Sequence, residues 1–113
     1  MNPIKYIANY YKDKQYNKTI EELSELSTSI SRYIGAINSK NPIKADIEKY
    51  RNEIIEETAD VYVMLAQIKY LLGCENQVST TIEYKIDRQL ERIRKEKMQF
   101  GRTGKEWYFK WLC

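Results

Sequence analysis

Two pairs of carboxylates stand at the same spacing in two separate stretches of the chain: Glu22 and Glu25 in "EELSE", and Glu57 and Asp60 in "EETAD". A step of three residues puts both members of a pair on one side of a helix. Glu57 occupies an unexpected position. Ile54, Val61, Leu65, Ile68 and Leu72 mark an apolar stripe through "EIIEETADVYVMLAQIKYLL", and Glu57 fills the gap between its first two members. Ile20, Leu23 and Leu26 interleave with the other pair, so those acids border an apolar stripe too. Antiparallel packing of the two helices would turn the pairs face to face. Four carboxylates in a partly dry groove repel and raise one another's pKa. A hard divalent cation resolves the conflict, because Mg²⁺ takes oxygen ligands, keeps several waters and sits between carboxylates and substrate phosphates. Two other readings stay open at this point. The acids face solvent, as charged helix faces commonly do, or they pair with Lys and Arg.

The elements that would position these acids are helical. Only four Gly and two Pro interrupt the chain's 113 residues, and long stretches without breakers favour helix over sheet. Pro3 opens a short first helix over "PIKYIANYYKD", with Ile4, Ile7 and Tyr11 on one row. The second helix follows from an N-cap at Asn17, its core row being Ile20, Leu23, Leu26, Ile30, Ile34 and Ile37 at the helical period. "NSKNPIKAD" breaks the pattern at Pro42. A third helix runs from about Ala45 to Leu72 with Ile47, Tyr50 and Ile54 opening its row, and Gly73 closes it. The fourth carries Ile82, Ile86, Leu90 and Ile93. Short connections make neighbours antiparallel, so the expected architecture is an all-α antiparallel bundle of about four helices over residues 1–100. An aromatic tail, residues 101–113 with Trp107 and Trp111, follows.

Composition removes whole classes of chemistry. Histidine is absent, which excludes Ser-His and Cys-His catalysis and imidazole metal sites. Cys74 and Cys113 are too few for a disulfide framework or a thiolate zinc site, and the expected compartment is the reducing cytoplasm. No apolar run is long enough to span a membrane, and the first residues lack the apolar stretch of a signal peptide. A net charge of +3 does not by itself argue for nucleic acid. On the fourth helix acids alternate with bases, so no nucleic-acid partner is expected.

Cations for an anionic ligand come from Lys85, Arg88 and Arg92, which share a face of the fourth helix. Lys18, one turn before Glu22, is a further candidate. Arg makes bidentate phosphate contacts, although Glu83, Asp87 and Glu91 equally suit a balanced, solvated face. Gln15 can both donate and accept toward a base, and Tyr33 or Tyr62 could stack on one.

"QYNKTIEELSEL" followed by "EETADV" resembles the EExxE…ExxD signature of the MazG-like, all-α nucleoside triphosphate pyrophosphohydrolases, over about residues 15 to 95. The stretch between Glu25 and Glu57 is longer than in compact members of that family, through the insertion "SKNPIKADIEKYRN". The resemblance implies that Glu22, Glu25, Glu57 and Asp60 ligate Mg²⁺, with Mn²⁺ as an alternative, and carry the catalysis. It gives Glu21 and Glu56 supporting roles. It further implies hydrolysis of an NTP or dNTP to the monophosphate and pyrophosphate, and assembly as a homodimer or homotetramer with sites near subunit interfaces. The competing expectation is a non-catalytic helical module that senses nucleotides or binds a protein partner.

Overall fold

The computed structural model describes residues 2–99, which form four α-helices and, among the described residues, no strand. These are α1 (Pro3–Tyr11), α2 (Lys14–Ile37), α3 (Lys44–Leu72) and α4 (Glu75–Gln99). The chain divides into two compact units after Cys74, inside the segment 1–100 that the sequence suggests is one domain. The aromatic tail with Trp107 and Trp111 lies outside the described residues. Among the described residues no helix is long and apolar enough to cross a membrane.

In the first unit, local chemistry sets most of the helix ends. Asn2 caps α1: its Oδ1 accepts from the backbone N–H groups of Ile4 (3.0 Å) and Lys5 (3.4 Å), and Pro3 supplies a first-turn residue that needs no donor. α1 stops at Lys12, whose φ of 56° and ψ of −132° break the helical path. α2 begins at Lys14 with Asp13 in the cap position, four residues before the expected cap at Asn17. The C-terminal end of α3 is closed by Gly73 in the left-handed conformation (φ 61°), and the N–H groups of Gly73 and Cys74 satisfy the carbonyls of Tyr70 and Lys69 at 3.0 Å each.

α2 and α3 pack along most of their lengths, with α1 against α3. Residues pair across α2 and α3 in opposite chain order: Gln15 with Gln67, Glu25 with Glu57, Arg32 with Glu53. α1 is tied to the end of α3 by Asn9 and Tyr70, whose amide and hydroxyl exchange hydrogen bonds of 2.9 and 3.2 Å.

The face that α2 turns inward is not the expected one. Gln15, Thr19, Glu22 and Ser29 are buried and Leu26 is half-buried. The aliphatic row stands outside, with Ile20 65% and Ile34 50% exposed, and Leu23, Ile30 and Ile37 also exposed. The two rows are offset by one residue, about 100° around a helix of 3.6 residues per turn. On α3, Val61 and Met64 are buried, Ile47, Tyr50, Ile54 and Ile68 are half-buried, and Leu65 and Leu72 are exposed. Gln67, 1% exposed, stands where the start of α2 meets the C-terminal end of α3; its Oε1 accepts from Gln15 Nε2 at 2.6 Å.

In the second unit, α4 starts at Glu75. Ser79, Thr80 and Thr81 donate their hydroxyls to the carbonyls four residues back. Its aliphatic row Ile82, Ile86, Leu90 and Ile93 is exposed.

Lys12 is the one described non-glycine residue with positive φ. A side chain held there stores about 1–3 kcal/mol of backbone strain. Lys12→Gly is expected to stabilise the protein by about 1 kcal/mol, raising Tm by about 4–8 °C in a thermal melt followed by circular dichroism.

Candidate functional site

Glu22 and Glu25 share a side of α2 because they are three residues apart, and Glu57 comes from the facing turn of α3. One carboxylate oxygen from each lies within 4.8 Å of the others. Glu22 is buried, Glu57 half-buried and Glu25 exposed, so the cluster has a dry end and a wet end. Asp60 is exposed, yet it is near enough to Glu57 for its charge to act on it. Of the four acids read from the sequence, three converge and Asp60 flanks them.

The bonding of these acids is incomplete. Glu22, with its side chain 10% exposed, uses Oε1 to pair with Lys18 at 3.2 Å. Its Oε2 is buried without a hydrogen-bond partner, and so is Oε2 of Glu57. Buried carboxylate oxygens are normally paired or bound to a metal. Two such orphans at one cluster of hard oxygen donors suit a divalent cation, whose ligands Glu22, Glu25 and Glu57 would supply.

The electrostatics agree. Desolvation pushes the Glu57 pKa above its ordinary value of 4.5, a hydrogen bond with the Glu25 carboxyl adds to the rise, and repulsion from Glu25, Asp60 and Glu22 completes it. The Lys18 pKa is raised as well, and there the rise favours the charged form: hydrogen bonds to Glu22 and Glu21, and then their charge, hold its ammonium protonated. It stands 3.3 Å from Glu21 Oε2, which makes Lys18 the paired counter-charge at the edge of the cluster.

Other residues singled out from the sequence fall elsewhere. Gln15 is buried with its side-chain amide directed to Gln67, so it builds the α2–α3 seam. Glu21 and Glu56 are exposed; Tyr33 is half-buried and Tyr62 is exposed. Lys85, Arg88 and Arg92 sit exposed on α4, in the other unit, where the Arg88 guanidinium lies 5.9 Å from the Tyr84 ring centroid.

Sequence reasoning missed Glu53 and Arg32. Both line a cavity of about 370 Å³ together with Ser24, Thr28, Glu25 and Glu57. Their side chains approach at 3.9 Å, an ion pair too long for a hydrogen bond, and Glu53 Oε2 is a third buried oxygen without one. The signal was present. Glu53 is one helical turn before Glu57, and Arg32 is seven residues, two turns, beyond Glu25.

Comparison of the chain with protein-family models, with curated proteins and with solved structures finds no match. The functional reading therefore rests on the residues themselves.

Two outcomes follow for Glu57. Because folding raises its pKa, the folded state holds its proton more tightly than the unfolded chain. Metal-free protein is thus penalised as pH climbs through and above the ordinary glutamate range, and not below it. In metal-free buffer, urea unfolding of wild type and Glu57→Gln should coincide below about pH 4 and separate above it, the variant being the more stable. Adding Mn²⁺ should reverse the order. At 100 times its Kd the ion stabilises wild type by about 2.7 kcal/mol and leaves the variant nearly unmoved.

Proposed function

We propose that the protein is a divalent-cation-dependent nucleoside triphosphate pyrophosphohydrolase of the MazG-like, all-α kind, cleaving an NTP or dNTP to the monophosphate and pyrophosphate in the cytoplasm. The observation that carries the reading is the convergence of Glu22, Glu25 and Glu57 with buried, unpartnered oxygens on Glu22 and Glu57. Acids that served only as a solvated face would have these oxygens in water.

The chain's own groups have definable tasks. Glu22, Glu25 and Glu57 would hold Mg²⁺ or Mn²⁺, with Asp60 at the exposed side of Glu57 as a fourth donor. A bound ion there supplies charge neutralisation at the phosphates and lowers the pKa of water. Lys18 fixes Glu22 Oε1 and leaves Oε2 for the ligand. In the reaction, the oxygen of water attacks a phosphorus of the α–β anhydride while the bond from that phosphorus to the bridging oxygen breaks. The proton of the water passes to a carboxylate of the cluster.

The outer aliphatic rows of α2 and α4 support the further reading that the active form is a homodimer or homotetramer. A contiguous apolar row exposed on a helix commonly marks an interface. The same rows favour, as the second reading, a non-catalytic helical module that binds nucleotide or a protein partner.

Purified protein with Mg²⁺ or Mn²⁺ is expected to release pyrophosphate from at least one nucleotide in a panel of NTPs, dNTPs and modified forms. Glu57→Gln and Glu22→Gln should each lower kcat by about 100-fold or more, a loss of at least about 2.7 kcal/mol of transition-state stabilisation. Mn²⁺-dependent nucleotide binding by calorimetry without turnover would select the second reading. Absence of both binding and turnover with every divalent ion would end the first.

A further inference from the structure

Arg32 lines two cavities. One is the acid cavity with Glu25 and Glu57. The other, about 300 Å³, lies where α2 ends and α3 begins, among Gly35, Ser39, Asn41, Asp46 and Tyr50. We propose that this second cavity is the nucleobase pocket of the site, with Arg32 gripping the phosphates between base and carboxylates. The assignment rests on the hydrolase reading above and specifies its substrate.

Distance along the helix supports the pairing of the two cavities. Arg32 is seven residues beyond Glu25 and Gly35 ten. At about 1.5 Å per residue these steps are about 10 and 15 Å, comparable to an extended nucleoside triphosphate. Arg32 is available to a phosphate: its side chain is 58% exposed, and its contact with Glu53 is a loose 3.9 Å pair. A planar guanidinium exchanges such a partner readily for two phosphate oxygens.

The second cavity has the chemistry of a base site. Gly35 leaves its wall bare, since a Cβ built there meets nothing within 4 Å. Ala36 and Ile43 add apolar surface, and Tyr50 an aromatic ring whose neighbour is the Lys49 ammonium, 5.7 Å from its centroid. The lining is thus mixed, with Gly35, Ala36, Ile43 and the Tyr50 ring beside the polar Arg32, Ser39, Asn41 and Asp46, and polar groups in a pocket fix a ligand's orientation. Asn41 and Ser39 offer donors and acceptors, and the Asp46 carboxylate only accepts. Asp46 therefore favours cytosine, whose 4-amino group donates, over uracil and thymine, which carry a carbonyl at that position.

The test is calorimetric, on the whole chain with Mn²⁺, using four probes. These are Mn²⁺ alone, inorganic tripolyphosphate, and the non-hydrolysable α,β-imido analogues of dCTP and dTTP. Wild type should bind the dCTP analogue about tenfold more tightly than the dTTP analogue, and Asp46→Asn should remove that preference. Gly35→Phe fills the pocket. It should weaken the dCTP analogue by about tenfold or more while leaving Mn²⁺ and tripolyphosphate within about twofold. Arg32→Ala should weaken tripolyphosphate and nucleotide together and spare Mn²⁺. Tyr50→Ala, which empties the pocket instead of filling it, should repeat the Gly35→Phe pattern, and far-ultraviolet circular dichroism checks that each variant is folded. Unchanged nucleotide affinity in folded Gly35→Phe and Tyr50→Ala overturns the pocket while the metal reading stands. Equal affinity of wild type for the two analogues overturns the role of Asp46, and unchanged tripolyphosphate affinity in Arg32→Ala overturns that of Arg32. If wild type binds neither Mn²⁺ nor tripolyphosphate, the metal reading falls and this assignment with it.

Discussion

Like charges brought together out of water need a counter-charge, and the arrangement of the first unit turns on that requirement. Glu22, Glu25 and Glu57 meet between α2 and α3 with one side-chain cation, Lys18, bonded to the cluster at its edge. Lost hydration, and then mutual repulsion, raise the proton affinity of Glu57, and oxygens of Glu22 and Glu57 are left without partners. Such a cluster is a cost to folding in the absence of a ligand. The same cost becomes affinity when a small, hard cation enters, because the repulsion is relieved and the orphaned oxygens gain a partner at once.

The rest of the α2–α3 seam is built to hold that cluster in register. A purely aliphatic seam tolerates sliding of one helix along the other. The buried amide pair of Gln15 and Gln67 does not, because displacement by even one turn would strand two polar side chains in a dry interface. Thr19 adds a hydroxyl bond of 2.6 Å to the Gln15 carbonyl and so satisfies its own polar group within the seam. Polar groups thus fix where Glu57 stands relative to Glu22 and Glu25, and the aliphatic residues of α2 are left on the outside. An outer row of Ile20, Leu23, Ile30, Ile34 and Ile37 is costly in water, which is why the assembled form is part of the functional proposal.

Much of this was legible in the chain itself. Pro3 and Gly73 mark helix ends because one lacks a donor and the other tolerates positive φ, properties that no neighbour alters. The spacing of three within each acid pair follows from helix geometry alone. The choice of face on α2 was not legible. Its polar row Gln15, Thr19, Glu22 and Ser29 and its aliphatic row have the same period and differ by one residue in phase. Hydrophobicity argues for burying the second, and only the partner surface on α3, which includes Glu57 and Gln67, decides for the first. Lys12 was equally invisible, since nothing in a lysine announces a positive φ.

By itself the sequence determined the elements and the donor chemistry: helices without strands among the described residues, no imidazole, and carboxylates as the available metal-binding groups. Tertiary structure decided which side chains meet. It brought Glu57 to Glu22 and Glu25, placed Arg32 and Glu53 beside them, turned Gln15 inward, and opened a cavity at the α2–α3 turn. The reason is one of range. Helix propensity and side-chain spacing act over a few residues and can be read along the chain, whereas contacts between residues 22 and 57 depend on how two helices rotate about their axes, a choice made by all the groups in the seam together.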